Sequence, residues 1–94
     1  MRKKVTVYVV QDSYDYGEYA DARPVRIVPS LDEAKREAVK RVKDAKQDIV
    51  DEKYAPEESL VIRKISPLRI GVFHDEEGLL EEISIFRQKL QTNN

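Results

Sequence analysis

The chain has 94 residues, 40% of them hydrophobic and 37% charged, with a formal net charge of −1 and no cysteine. That length allows one domain, residues 1–94, with a modest core under a densely charged surface. The lack of cysteine excludes disulfides, Cys-ligated zinc and thiol catalysis, and no apolar run approaches the roughly 18 residues of a membrane span, so a soluble cytoplasmic protein is expected.

Charge is segregated along the chain. Residues 1–4 carry three positive charges, residues 12–21 four negative and residues 75–82 five negative. A near-neutral total therefore leaves room for strongly charged patches.

Residues 5–10, VTVYVV, are β-branched and aromatic with apolar groups on both faces, which predicts a central strand. Residues 24–29, PVRIVP, predict a second strand with prolines at its two ends. Between them lies QDSYDYGEYADAR, a connection of about a dozen residues and longer than a tight hairpin needs. Ser30 and Glu33 form a capping-box pattern with two acids in the first turn. Leu31, Ala34, Ala38, Val42, Ala45 and Ile49 then step by three and four residues along one helical face. The helix should run to about Lys53, because Pro56 disfavours helical geometry at Ala55. At roughly 34 Å it would overhang strands of about 20 Å.

LVIRKI at residues 60–65 predicts a third strand, and RIGVFH at 69–74 continues it or forms a fourth. Asp75, Glu76, Glu77 and Gly78 have the composition of a hairpin turn with glycine in the left-handed region. Residues 79–86 fit a strand by propensity and a helix by the spacing of Leu79, Ile83, Phe86 and Leu90; the strand is preferred. The last four residues should fray. The expected fold is α+β: a small antiparallel sheet of four to five strands in ββαββ order with one long amphipathic helix on one face. Its core would join the helical row to Val5, Val7, Val9, Val25, Ile27, Val61 and Ile65.

The segments VTVYVVQDSYDYGEY, SLDEAKREA and SLVIRKI resemble small uncharacterised α+β proteins of phages and bacterial mobile elements. The resemblance covers residues 4–65. It implies a ββαβ core and a phage or prophage origin, and it brings no activity or catalytic residue with it.

No pattern of catalysis stands out. His74 is the one histidine, no serine occupies a nucleophile elbow, and Gly17, Gly71 and Gly78 form no phosphate-cradling loop. The acids beside His74 lack the alternating ligands of a calcium loop, so they are read as an acidic turn. No catalytic residue, metal ligand or cofactor is expected. Two binding surfaces remain.

In the first, Asp12, Asp15, Glu18 and Asp21 are interleaved with Tyr14, Tyr16 and Tyr19. Tyrosines supply rigid contact area, and carboxylates steer a surface towards a basic partner. The competing reading is an ordinary hairpin loop in which Tyr14 extends the first strand, Tyr19 folds over the sheet and the acids keep the edge soluble. In the second, Arg36, Lys40 and Lys43 lie on one flank of the helix, as a phosphate track would require. No aromatic residue interleaves with these bases. Glu33, Glu37, Asp44, Asp48 and Asp51 occupy the other flank, so nucleic acid is the less favoured ligand. The expected function is a non-enzymatic protein-binding module. Its acidic loop would dock on a basic partner, such as a host protein that handles nucleic acid. The helix end around Ile49, Val50 and Tyr54 offers a surface for a homodimer.

Overall fold

The computed structural model describes residues 2–15 and 20–93, with side chains for 3–15 and 20–91. It holds strands β1 (Arg2–Asp15) and β2 (Ala20–Val28), helix α1 (Leu31–Asp51), a 3-10 turn (Glu57–Ser59), and strands β3 (Leu60–Ser66), β4 (Arg69–His74) and β5 (Gly78–Asn93). The strands make one antiparallel sheet in the order β2-β1-β5-β4-β3. The fold is therefore α+β with one helix and five strands, in ββαβββ order rather than ββαββ. The segment that was ambiguous between strand and helix is the long strand β5. Pairing with β1 on one side and β4 on the other outweighs its helical spacing.

The length relation is reversed from the expectation. The 21-residue helix spans roughly 31 Å. β5, with 16 residues, spans roughly 53 Å, so the sheet overhangs the helix. The two long strands pair from Arg2 with Asn93 to Tyr14 with Glu81, so residues 91–93, expected to fray, are in strand, and Asn94 lies outside the described residues. β2 joins β1 only from Tyr8 onward, and β4 joins β5 only up to Ser84. Residues 2–7 and 88–93 therefore project as a two-stranded arm, and the molecule measures 54 × 26 × 20 Å.

The helix begins where its cap predicts, with Ser30 Oγ accepting from Glu33 N at 3.2 Å. It stops at Asp51, before Pro56 acts, because Lys53 enters the left-handed region at φ 60°. Lys53 N donates to Val50 O at 3.0 Å and Tyr54 N to Ile49 O at 3.1 Å, a Schellman closure.

Ala34, Ala38, Val42, Ala45 and Ile49 are buried as their spacing predicts. Their sheet partners are not the expected ones. Val10, Val28, Leu60, Val72, Leu80, Ile83 and Ile85 form the core, with Tyr8, Val25, Ile62 and Ile70 packed against it. Val5, Val7, Val9, Ile27, Val61 and Ile65 lie on the opposite face; only Val25 of the expected sheet set meets the helix side. β1 is apolar at both parities, so its composition does not choose a face, and a one-residue change of phase exchanges every side chain.

Two irregularities shape one end of the sheet. The register of β1 against β2 shifts between Val10 and Gln11, and that of β4 against β5 shifts between Val72 and Phe73. The second makes Leu80 the extra residue of β5, so it enters the core beside Glu81, which already faces the helix side in phase with Ile83 and Ile85. On the other face, Gly71 makes room for the side chains of Leu79 and Ile65. A Cβ there would lie 2.6 Å from Leu79 Cδ1.

Candidate functional site

The stretch from Asp12 to Arg23 is mostly sheet, not a loop. β1 continues to Asp15 and β2 starts at Ala20, with Asp12 opposite Arg23 and Tyr14 opposite Asp21. The dozen-residue connection thus shortens to residues 16–19, so Tyr16, Glu18 and Tyr19 lie outside the described residues. Pairing on both sides of β1 is the reason, since β5 extends the ladder to Tyr14. Asp15 and Asp21 are exposed, and Asp21 Oδ1 accepts from Ala22 N at 2.8 Å. Asp12 and Tyr14 turn to the helix side, where Asp12 is only 8% exposed and Tyr14 half-buried. The acidic stretch therefore divides between two surfaces.

Asp12 and Tyr14 line a cleft of about 400 Å³ between the sheet and the C-terminal half of α1. The helix contributes Asp44 and Asp48 and its C-cap Glu52, and β5 contributes Glu81, itself 8% exposed. Five carboxylates from three elements thus face Arg23 and Arg41. Arg41 is committed elsewhere, its Nε donating to Glu37 Oε1 at 3.0 Å. Asp12 Oδ1 is buried without a hydrogen-bond partner. A carboxylate oxygen in that state costs free energy that folding alone gives no reason to bear. No group of three or more His, Asp or Glu side chains among the described residues is arranged to hold a metal ion. The arrangement suits a cation that brings its own hydrogen-bond donors.

Asp44, Asp48, Glu52 and Glu81 were not singled out as binding residues from the sequence. The signal available was the four-residue step from Asp44 to Asp48 to Glu52, a stripe of like charge that weakens a helix. Glu81 carried only its place in the acidic run of residues 75–82; it turns inward in phase with Ile83 and Ile85, a phase set by pairing with β1.

The acidic hairpin at residues 75–77 closes the same end. Gly78 adopts the expected left-handed geometry, at φ 81°. His74 Nδ1 accepts from Glu76 N and Glu77 N, both at 3.1 Å, so the imidazole braces the turn. Tyr54 OH donates to Glu77 Oε2 at 3.1 Å and ties the end of α1 to this hairpin. Glu82 lies on the other face of the sheet. Arg69 holds it with two bonds, Nε to Oε2 at 2.8 Å and Nη2 to Oε1 at 2.6 Å, and Ser84 Oγ donates to Oε2. The hydrogen bond from Arg69 keeps the Glu82 carboxyl below its usual range.

Arg36, Lys40 and Lys43 are exposed on α1. Arg36 and Lys40 share a shallow groove with Arg26, Glu33 and Glu37; Lys43 is not part of it. Glu37, expected on a solvated flank, is instead buried beneath Arg26 and Arg41. No described helix is long and apolar enough to cross a membrane.

The chain is thus an α+β protein with a helix-covered five-stranded sheet and a carboxylate-lined cleft at one end. Comparison with known proteins finds no matching family model, no matching curated protein and no matching solved structure.

Proposed function

We propose that this chain is a non-enzymatic binding protein whose acidic end captures a basic segment of another protein, with an arginine or lysine side chain entering the cleft. The observation that carries this reading is the buried, unpartnered Oδ1 of Asp12 in a cleft lined by four further carboxylates. A guanidinium offers five donors in a planar fork and pairs with two carboxylates at once. Half-buried Tyr14 supplies an aromatic wall for its stem and plane. Asp15 and Asp21 at the rim, with the hairpin acids, steer a basic partner towards the cleft. The resemblance to phage proteins favours a regulator or inhibitor of a host protein that handles nucleic acid.

Nucleic acid is the competing ligand, and the helix is poorly suited to it. Arg36 and Lys40 share their groove with Glu33 and Glu37, which repel phosphate.

The test is calorimetric titration of the full chain with a nona-arginine peptide, beside a chain carrying Asp44→Asn and Asp48→Asn. Both positions are exposed on the helix, so the fold should survive. Saturable binding that weakens at least tenfold in the double variant is expected. No binding, or equal binding by both chains, overturns the reading. A gel shift against duplex DNA completes the comparison. Retardation that survives the double variant and fades steeply with salt would assign the chain to nucleic acid instead.

A further inference from the structure

One helix cannot cover five strands. At roughly 4.8 Å between neighbours the sheet is about 19 Å wide from β2 to β3, while a helix is about 10 Å across. α1 therefore leaves a flank of the sheet open on either side. The flank over β1 and β2 holds the acidic cleft. The flank over β4 and β3 holds a groove of about 280 Å³ with the opposite character.

The floor of this groove is apolar. Ala38 of α1, Ile83 and Ile85 belong to the buried core, and Ile70 packs against it. Val39 on the helix and Leu68 in the turn between β3 and β4 form its upper walls, 43% and 37% exposed. The turn is fixed in place. Leu68 O accepts from Ile85 N at 2.8 Å, and Leu68 N donates to Ser66 Oγ at 3.4 Å. A preformed apolar hollow with a few polar groups at its edge is the usual form of a small-ligand site.

The polar groups at this edge are all basic: three bases and no acid line the groove. Arg69 is committed to Glu82 on the other face of the sheet. Lys35 and Lys64 remain, one on each wall. Lys64 shares the helix-side phase of Ile70, its partner in the ladder, and Lys35 stands one helical turn before Val39. Neither forms an ion pair with a carboxylate among the described residues. Both are exposed, so each stem can lie along the apolar wall while its ammonium stays at the rim. An anion held between the two lysines relieves the repulsion of like charges on one small hollow. A basic peptide would be repelled here, and a nucleic acid would leave the isoleucine floor unfilled.

We propose that this groove binds a small aliphatic monocarboxylate, with its chain on Ile70, Ile83 and Ile85 and its carboxylate between Lys35 and Lys64. At roughly 30 Å³ for each small group, the share of one water in the liquid, the hollow takes about nine groups, the size of octanoate. The groove and the acidic cleft lie on opposite flanks of α1, so the proposal does not depend on what the cleft takes.

Titration of the ¹⁵N-labelled full chain with octanoate, followed by amide NMR shifts, tests both affinity and place. Saturable shifts at Val39, Leu68 and Ile70, with a dissociation constant below about 1 mM and no shift at Asp44 or Asp48, are expected. Lys35→Glu with Lys64→Glu should weaken octanoate by about fivefold or more and leave the weaker binding of octan-1-ol unchanged. If that chain fails to fold, Lys35→Gln with Lys64→Gln takes its place with the same expectation. No saturable shift, or shifts confined to the cleft, overturns the proposal. A smaller loss in the double variant, or an equal loss for octan-1-ol, overturns the role of the lysines. A parent chain that ignores octanoate but shows these shifts with the peptide acetyl-DLLD-amide would assign the groove to a protein segment instead.

Discussion

Replacing Asp12 by valine should make the protein more stable and remove its affinity for a basic peptide. On the helix side of β1, Asp12 stands between Val10 and Tyr14, opposite Ile83 on β5 and Arg23 on β2. Ile83 is fully buried and Val10 likewise, so the site is apolar on two sides. Leaving Oδ1 there without a partner costs about 1–3 kcal/mol, the desolvation penalty of an unsatisfied polar group. Valine removes that penalty and suits a pleated, buried position. A gain of about 1–3 kcal/mol is therefore expected. For a chain of this size each kcal/mol raises the melting temperature by roughly 4–8 °C. Urea unfolding followed by circular dichroism at pH 7 measures the change directly, and titration with nona-arginine measures the loss of binding. A lower urea midpoint at unchanged slope would refute the reasoning, because Asp12 would then be contributing to stability through a partner. Such an opposition between stability and binding is what a site held at the expense of the fold produces.

Three further outcomes follow from the packing. Val42→Asp places an unpaired charge at a position only 1% exposed and should cost about 3–5 kcal/mol; Val7→Asp, on the opposite face, should cost about 1 kcal/mol. Equal urea midpoints for the two would contradict the assignment of faces. Lys53→Gly should raise stability by about 0.5–1 kcal/mol, since glycine adopts φ 60° without a Cβ penalty, and a thermal melt reads the gain. The folded-state pKa of Glu82 is depressed by Arg69, so its contribution is fully present above the unfolded value of about 4.3 and is lost as pH falls through the folded value. The gap in urea midpoint between the parent and Glu82→Gln should accordingly hold from pH 7 to about 5 and shrink progressively as pH falls below the unfolded value. A gap that does not shrink at all below the unfolded value would show that the Arg69 pairing is not its source.

Local sequence determined the elements whose information is local. Ser30 and Glu33 placed the start of α1, and the three- and four-residue steps from Leu31 to Ile49 selected its buried face, because capping and amphipathic periodicity act within a few residues. The glycine at residue 78 likewise announced its turn. The choice of face for β1 belonged to the tertiary structure. With apolar residues at both parities, Val5, Val7 and Val9 were as credible as Tyr8 and Val10 until the helix packed over one set. Pairing between distant segments also decided the reach of β1 and β5, the conversion of Asp12–Asp15 from loop to strand, and the identity of the last element. The candidate site divides in the same way. Its acidic, tyrosine-rich composition was legible in the chain. The burial of Asp12, and its meeting with Asp44, Asp48, Glu52 and Glu81, required a helix packed on a sheet in which β1 and β5 are paired, bringing together carboxylates up to 69 positions apart.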